Sequence, residues 1–506
     1  MSIEHATDKI VLISFGANVF NFSVNSMAAY LRELGYNTNI IQCIPINSTD
    51  DTAYGKLSKE QLEILAHNCK NALIIGISIV TTQYLNLAIQ VNDCLKTATS
   101  STIVWGGVPV ICDHEFYLRY TDYICVSEGE YFLEELLKHI KQNKPIETVK
   151  GIAYRDSENK IIVNPAIPLV DINSIPLSLF NIDNHFILKN SLTSLRDDLS
   201  PLINQSLAKG YRIFSIRGCP FRCSFCSNNQ LSRVLKGIKK LRKLKNDMVI
   251  KELLEAKKMI PGLNKITFSE DDFFSRSEGE LSDLLSKLRE KINLPINISA
   301  TIKNISEKKI ELMQNFSIEL ESIKIGLQTG SERVNREIYK RPFIKDEYLD
   351  KLEMLAKRNI PVVMDVISDN PYENLEDLNE KLEFFIDLST RLSKIKDVWK
   401  NLMYLDHKLM FYPGTDLYNM AIKDGIITKN YINDILLSRR TTRKDKEVDI
   451  DKIILSLFKY SLKFKFLLSI MRLIKSLSLL SLLDNNIIKK LFYKILKLKK
   501  KIILRE

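Results

Sequence analysis

Strand-like and helix-like patterns alternate along the first 140 residues. The run KIVLIS (residues 9–14) is apolar over the length of a strand, and MAAYLRELG (27–35) has helical spacing and ends on a glycine suited to a C-cap. Further apolar strands are predicted at ALIIGIS (72–78), TIVWGG (102–107) and YICVSEGE (123–130). This alternation predicts an α/β fold with a parallel, doubly wound sheet. Ligands of such sheets bind beyond the carboxyl ends of the strands, where Gly, Ser and acidic residues follow here.

The next 60 residues have a different pattern. GIAYRDSENKIIVNP (151–165) predicts two short strands around a polar turn, and Pro168, Pro176 and Pro201 punctuate a linker. Alternation then resumes with six predicted strands: FSIRG (214–218), KITFSE (265–270), INISATI (296–302), SIKIGLQ (322–328), VVMDVIS (362–368) and LMFYPG (409–414). These strands predict a second α/β unit, a partial barrel.

The chain has 506 residues, which is too many for one ordinary hydrophobic core. We expect a Rossmann-like domain at residues 1–145, a hairpin and linker at 146–205, a partial barrel at 206–430 and a helical basic segment at 431–506. The first residues do not resemble a signal peptide, so the expected compartment is the cytoplasm.

Most of the net charge of +12 lies in the last segment, where residues 451–506 hold 14 Lys or Arg and three Asp or Glu. The rest of the chain is nearly neutral, so no nucleic-acid partner is expected. The longest charge-free run near the end is eight residues (476–483), far below the roughly 20 that span a bilayer. The segment is predicted either to lie on an anionic membrane as a basic amphipathic helix or to pack back over the barrel.

Three of the eight cysteines lie close together in Cys219-Pro-Phe-Arg-Cys223-Ser-Phe-Cys226. Three thiolates can hold three irons of a four-iron cluster and leave the fourth iron open for another ligand. A zinc site would need a fourth protein ligand, which is not found at close spacing, and three inert buried cysteines are the remaining alternative.

The segment RGCPFRCSFC (217–226) resembles the cluster loop of the radical S-adenosylmethionine (SAM) superfamily, including Phe225 before the last cysteine. The resemblance implies that SAM binds the open iron through its amino and carboxylate groups. Reductive cleavage of SAM then gives methionine and a 5′-deoxyadenosyl radical. It also implies an external electron donor of the flavodoxin or ferredoxin type.

Later strand ends resemble the SAM-binding segments of that superfamily. Those segments are SEDD (269–272), expected near the methionine amino group, GLQTGSE (326–332) near the carboxylate and ribose, and FYPGT (411–415) near the adenine. The contacts implied are Ser269, Glu270, Asp271, Gln328, Ser331 and Tyr412. Taken alone, the three segments would be helix N-termini and a plain turn. Asp369-Asn370-Pro371 departs from the family's glycine-rich turn.

The first domain resembles the cobalamin-binding domain that precedes the radical domain in one large subgroup. The matching pieces are GISIVTT (76–82), WGGVP (105–109), SEGE (127–130) and the linker VDINSIP (170–176). Small residues at neighbouring strand ends would leave a flat shelf for a corrin, although a sheet whose turns need glycine would look the same. The contacts implied are Ser78, Thr81, Thr82, Gly106, Gly107, Glu128 and Gly129.

The histidine that ligates cobalt from below in some cobalamin domains is missing from its usual place. The loop after the first strand, residues 14–26, presents Asn18, Asn21, Ser23 and Asn25 but no imidazole. Asp183-Asn184-His185 lacks the accompanying glycine and lies in the predicted linker, and His114 is expected at the surface. We therefore expect cobalamin to bind without a histidine ligand.

The sequence thus predicts a cobalamin-dependent radical SAM enzyme that transfers a methyl group to an unactivated carbon of a small molecule or peptide. A radical rearrangement or cyclisation, with or without cobalamin, is the alternative. A non-catalytic ligand-binding protein would not need the cysteine triplet. Methylthiolation of transfer RNA would need a second set of cluster cysteines and a basic RNA-binding module, and the sequence shows neither.

Overall fold

The computed structural model describes residues 8–16, 21–45, 55–177, 184–197, 210–237, 240–260, 262–432 and 450–484. Within them the first sheet has nine strands, in the order β7-β6-β5-β4-β3-β1-β2-β8-β9. The strands are β1 Lys9–Phe15, β2 Asn37–Cys43, β3 Ala72–Ser78, β4 Thr102–Gly106, β5 Tyr123–Cys125, β6 Ile152–Arg155, β7 Ile161–Val163, β8 His185–Leu188 and β9 Leu192–Ser194.

Helices cover both faces of this sheet. They are α1 Phe22–Glu33, α2 Lys59–Cys69, α3 Leu85–Ala98, α4 Val108–Cys112, α5 His114–Tyr117 and α6 Gly129–Lys141. Ser58 and Gln61 form a capping box that starts α2, and the Asn21 side chain caps α1. β1 is buried on both sides between two apolar clusters, as a central parallel strand should be.

The strand order reverses at β1, which pairs in parallel with β2 on one side and with β3 on the other. β4 and β5 continue the parallel sheet beyond β3. The predicted doubly wound sheet is confirmed, and its carboxyl edge at β1 and β3 is the point where such sheets form a ligand crevice.

The segment that we predicted to be a hairpin and linker contributes both edges of the sheet. β6 and β7 form the predicted hairpin, and β6 pairs antiparallel with β5. β8, which the sequence did not predict, pairs in parallel with β2 and places His185 opposite Ile40. Residues 184–197 are therefore part of the first sheet.

The second sheet has six strands among the described residues and contains only parallel pairs there, in the order β10-β13-β14-β15-β16-β17. They are β10 Tyr211–Ile213, β13 Ile266–Phe268, β14 Ile296–Ala300, β15 Leu320–Gln328, β16 Val362–Ser368 and β17 Leu402–Lys408; the short ribbon β11 Ile216–Arg217 and β12 Arg242–Lys243 lies beside them. The helices are α7 Ser227–Val234, α8 Asn246–Met259, α9 Glu278–Lys287, α10 Glu307–Asn315, α11 Lys345–Lys357, α12 Leu375–Leu392, α13 Val398–Asn401 and α14 Asp416–Lys423. Sequential parallel strands with intervening helices form the predicted partial barrel.

Two predicted barrel strands were misplaced. The first strand is β10, and the predicted run 214–218 instead contains the short strand β11. The last strand is β17, which begins with four apolar residues, although most of its residues are exposed at the sheet edge. The predicted run 409–414 follows β17 and buries Leu409 and Phe411 in a separate apolar cluster.

The described part of the C-terminal segment packs against the barrel. α15 Ile450–Ser461 and α16 Phe466–Ser476 place Ile453, Leu457 and Met471 in the barrel's apolar core. Residues 485–506 lie outside the described part. Among the described helices, none combines the length and apolar character that crossing a bilayer requires.

Candidate functional site

A cavity of about 320 Å³ lies at the carboxyl edge of the first sheet. The ends of β3, β4 and β5 and the start of α6 form one wall, and the barrel supplies Arg217, Leu231 and Leu235. Of the predicted cobalamin contacts, the cavity is lined by Ser78, Gly106, Gly107, Glu128 and Gly129. The cavity has the size and mostly apolar lining of a ligand pocket and lies between the two domains.

Glycines allow close approach of the backbone at this edge. Gly107 has φ +116°, and a Cβ there would lie 2.0 Å from the carbonyl oxygen of Ile79. A Cβ at Gly129 would lie 2.2 Å from the Met27 sulfur. The backbone oxygen excludes a side chain at Gly107, whereas a side chain at Gly129 would require the flexible Met27 to move. Both glycines leave bare backbone at the cavity wall, which fits the shelf expected for a flat corrin ring.

Two other predicted contacts lie outside the cavity lining. The Thr82 side chain is buried, and its hydroxyl accepts a 3.3 Å hydrogen bond from the Tyr117 hydroxyl. Thr81 is half-buried in the turn after β3. In this structure Thr82 stabilises the packing of α5 against the sheet.

Among the described residues, no histidine lines the cavity. His114 is half-buried on α5 with Nδ1 3.5 Å from the Ile111 carbonyl oxygen. His185 is fully buried in β8, on the opposite side of β1 from β3 and β4, and burial lowers its pKa to about 3. Neither histidine lies at the cavity wall.

The loop after β1 is partly described. Ser23 lines the cavity, Asn21 accepts a hydrogen bond from the Ser23 backbone, and Asn25 donates to the Asn21 carbonyl. Asn18 lies outside the described residues. The two described asparagines therefore support the start of α1.

Acidic residues at the start of α6 bind arginines of the ribbon β11–β12. Glu128 accepts two hydrogen bonds of 2.7 Å from Arg242 and one of 2.8 Å from the Val170 backbone. Glu130 accepts from Arg217 at 2.9 Å; although burial raises its pKa, the Arg217 charge and hydrogen bonds lower it overall. The predicted contact Glu128 thus lines the cavity with its carboxylate bound to an arginine, and these pairs join the two domains.

The three predicted cluster cysteines lie in one loop that follows β11. Gly218 opens the loop with φ +107°, a conformation that favours glycine. Cys223 is buried, whereas Cys219 and Cys226 are half-buried. The backbone N–H of Cys226 donates to the Cys223 carbonyl at 3.1 Å, which forms a turn between these two ligands.

Neighbouring segments hold this loop from two sides. The Ser224 N–H donates to the Tyr339 carbonyl at 2.9 Å, and the Leu417 N–H donates to the Ser224 carbonyl at 2.9 Å. The Phe225 ring packs edge-to-face on Tyr339, with ring centroids 5.1 Å apart. Phe225 therefore anchors the loop to the barrel in this structure.

The thiols can serve a four-iron cluster. Burial, with the nearby Asp271 carboxylate, raises the pKa of Cys219 to about 12, and burial raises the pKa of Cys226 to about 11, so iron must displace protons on binding. Within the described residues, no three His, Cys, Asp or Glu side chains are grouped to hold a single metal ion. A four-iron cluster does not need such a group, because each thiolate binds a different iron.

The predicted SAM contacts after β13 separate into two kinds. Asp271 is exposed beside Cys219 and accepts a 2.9 Å hydrogen bond from Asn228, and Ser269 is half-buried. Glu270 is buried and accepts from Arg276 at 3.0 Å and from Ser215 at 3.0 Å. Glu270 therefore forms an internal ion pair, while Asp271 lies next to the cysteine loop.

The contacts predicted on later strands also differ in their surroundings. Gln328 is half-buried at the end of β15 with φ +67°. Ser331 is fully buried, and its hydroxyl donates to Asp377 at 2.8 Å and accepts from the Val334 N–H at 3.3 Å. Tyr412 is 41% exposed in the turn before α14. Gln328 thus lies at the end of β15 and Tyr412 in the turn that follows β17, whereas the Ser331 hydroxyl is used within the fold.

Two arginines of the site were not predicted from the sequence. Arg217 lines the cavity and lies two residues before Cys219. Arg341 donates to the Gly326 carbonyl at 2.9 Å, and its Nη1 lies 3.9 Å from the Cys223 sulfur. No sequence motif indicates Arg341, which is 118 residues from Cys223 along the chain.

Two family models match the chain in the order of its two sheets. The B12 binding domain matches residues 8–137, and the Radical SAM superfamily matches residues 213–385.

Curated relatives and a solved structure resemble the chain over most of its length. An uncharacterized methyltransferase of Pyrococcus horikoshii is 22% identical over 70% of this chain and 70% of its own length. The cytidylyl-2-hydroxyethylphosphonate methyltransferase of Streptomyces wedmorensis is 20% identical over 83% of this chain and 85% of its own length. The cobalamin-dependent SAM radical enzyme OxsB, solved with aqua-cobalamin and SAM bound, superposes with a TM-score of 0.63 at 18% identity. That superposition covers 89% of this chain, which spans 66% of the OxsB chain.

The two candidate sites agree with the two family matches. The cysteine loop lies within the residues that the Radical SAM superfamily matches, and the cavity glycines lie within those that the B12 binding domain matches. The chain carries a B12 binding domain followed by a Radical SAM domain, and these two domains imply cobalamin, a 4Fe–4S cluster and SAM as its cofactors.

Proposed function

We propose that the chain transfers a methyl group from cobalamin to an unactivated carbon of a small-molecule or peptide substrate. The observation that carries this proposal is that the cavity and the cysteine loop adjoin each other at Arg217. Arg217 lines the cobalamin cavity and lies two residues before the first cluster cysteine, Cys219. A methyl donor and a radical generator must both reach one substrate carbon, and this arrangement brings their binding sites together.

When bound, the cluster and SAM supply a hydrogen-abstracting radical, and cobalamin supplies the methyl group. The chain itself binds and orients these groups. Arg217 is fixed by Glu130 and by Ser26, whose hydroxyl lies 3.1 Å from Nη2, so the ribbon holds the cysteine loop at a set position relative to the cavity. Leu231 and Leu235 close the cavity with apolar surface, which excludes water from one side.

Anaerobic reconstitution with iron, sulfide and cobalamin tests the proposal. Incubation with SAM, a reductant and extract of the producing cell should yield 5′-deoxyadenosine and a product heavier by one methylene unit. A product of unchanged mass together with 5′-deoxyadenosine would instead support a radical rearrangement or cyclisation.

We also propose that no protein histidine binds cobalt. The support is the cavity lining, in which the described residues include no imidazole. Neutral amides and hydroxyls are weak ligands by comparison with imidazole. Electron paramagnetic resonance of the Co(II) form, with nitrogen-15 protein and unlabelled cobalamin, should show no splitting from a protein nitrogen. Splitting that disappears in His114→Ala or His185→Ala would identify the ligand and contradict this proposal.

Three residues, Asp271, Ser269 and Gln328, are our proposed contacts to SAM. Asp271 lies beside Cys219, and half-buried Ser269 and Gln328 lie at the ends of β13 and β15. We propose that the first two bind the methionine amino group and that Gln328 binds the carboxylate or ribose. Asp271→Asn and Gln328→Ala should raise the KM for SAM while the cluster absorbance stays unchanged.

An electron donor of the flavodoxin or ferredoxin type is part of the proposal, because each reductive cleavage of SAM consumes one electron. Contact with an anionic membrane is proposed for residues 485–506 only, which lie outside the described residues. Deleting them should abolish salt-sensitive binding to anionic liposomes. Equal binding with and without them would exclude that role.

A further inference from the structure

A basic groove of about 510 Å³ lies beside the cysteine loop, on the barrel. Its cationic lining residues are Arg222, Arg233, Arg336, Lys340 and Arg341, and Asp416 is the acidic residue among those that line it. Nearly all of the chain's net charge of +12 lies after residue 450, so this groove is a local concentration of positive charge in a nearly neutral body.

Two of the five cations are available to a partner. Arg222 and Lys340 are exposed, and within the described structure neither side chain has a hydrogen-bond or ion-pair partner. The others are engaged: Arg233 pairs with Asp416 at 2.6 Å, and Arg336 pairs with Glu332 at 2.9 Å. Lys340 has φ +52°, a conformation that is uncommon for a residue other than glycine.

The groove reaches the cluster ligands directly. Arg222 lies within the loop, next to Cys223 in sequence, and the Arg341 guanidinium lies 3.9 Å from the Cys223 sulfur. A protein bound in the groove would therefore lie against the cluster loop on the side of Cys223. This position is suited to the delivery of an electron.

We propose that this groove docks a small acidic protein carrying a one-electron centre, a flavin or an iron–sulfur cluster. The inference rests on the proposed function, which requires such a donor. In the step that it serves, the carrier loses one electron and the cluster of this chain gains it, and no atom is transferred. The positive charge of these arginines and the lysine is complementary to a carboxylate-rich protein surface. Such charge complementarity raises the rate at which two proteins associate.

The test compares two reductants in the reconstituted full-length enzyme. The rate of 5′-deoxyadenosine formation is measured against the concentration of an acidic bacterial flavodoxin reduced by its reductase, and separately with dithionite. Lys340→Glu should raise the flavodoxin concentration for half-maximal rate by about tenfold, and Lys340→Gln by less. The wild-type value should itself rise with salt, because screening weakens steering. The rate with dithionite should not change. Lys70→Glu, an exposed reversal at the end of α2, is the matched control and should behave as wild type.

Equal flavodoxin dependence in Lys340→Glu and the wild type would overturn the docking site, as would an equal loss with both reductants. Failure of the wild type to form 5′-deoxyadenosine with dithionite would instead overturn the proposed function. The two failures are therefore distinguishable.

Discussion

Replacing Lys381 by methionine should weaken the attachment of the C-terminal helices to the barrel. The Lys381 side chain on α12 is fully buried, and its ammonium binds the carboxylates of Glu373, at 2.7 Å, and of Asp451 on α15. Burial alone would lower the pKa of Lys381, but the two carboxylates outweigh burial and raise it, so the side chain is charged. The substitution leaves two buried carboxylates without their cation.

Removing one partner of a buried ion pair costs about 3–5 kcal/mol, and here two carboxylates lose their partner, so we expect a loss near the upper end of that range. Lys475→Met is the matched control. It also removes a lysine paired to α12, but its partner Glu383 and the lysine are 42% and 40% exposed. Exposed pairs contribute about 0–1 kcal/mol.

Urea unfolding of both variants under anaerobic conditions, followed by circular dichroism, measures the difference. Adding Glu373→Gln and Asp451→Asn to Lys381→Met should recover part of the loss, because the uncompensated charges are then removed. If Lys381→Met costs no more than Lys475→Met, the buried ion triad does not hold the C-terminal helices as described.

Further predictions concern the cavity and the pH dependence of stability. Gly107→Val should prevent cobalamin from copurifying, because the new Cβ would lie 2.0 Å from the Ile79 carbonyl oxygen. Gly279→Ala, whose Cβ would have no atom within 4 Å, should retain the corrin absorbance. Corrin absorbance retained in Gly107→Val would contradict the shelf. Burial raises the pKa of Glu252 to about 7 from 4.5, so the folded state binds more protons than the unfolded chain between these values, and stability should fall as pH rises from about 5 to 7. Between pH 5 and 7 the fall from this residue is about 2 kcal/mol, and Glu252→Gln should remove it in urea titrations at these two pH values; equal pH slopes in variant and wild type would exclude this assignment.

Both sheets and the cysteine loop were predictable because they depend on local patterns. Apolar runs of strand length mark the buried strands β1, β3 and β16, and the spacing of Cys219, Cys223 and Cys226 is a single local motif. β17 was misplaced because two apolar runs, 402–405 and 409–412, lie close together along the chain, and local pattern does not show which of them pairs with β16.

Roles that depend on distant residues were not predictable. Glu128 and Ser331 match family segments by sequence, but their partners Arg242 and Asp377 lie 114 and 46 residues away along the chain. Arg341 belongs to no motif and reaches Cys223 only through the fold. Such contacts require the tertiary structure, because side-chain partners are set by packing rather than by spacing.

The most direct test of the central claim is the Cys223→Ala variant. The anaerobically reconstituted wild type should bind about four irons and four sulfides and cleave SAM to 5′-deoxyadenosine when reduced with dithionite. Cys223→Ala should lose the cluster absorbance and form no 5′-deoxyadenosine, while Cys69→Ala, a buried cysteine of α2 far from the loop in sequence, should keep both. A Cys223→Ala protein that retains its cluster and still cleaves SAM would contradict the account.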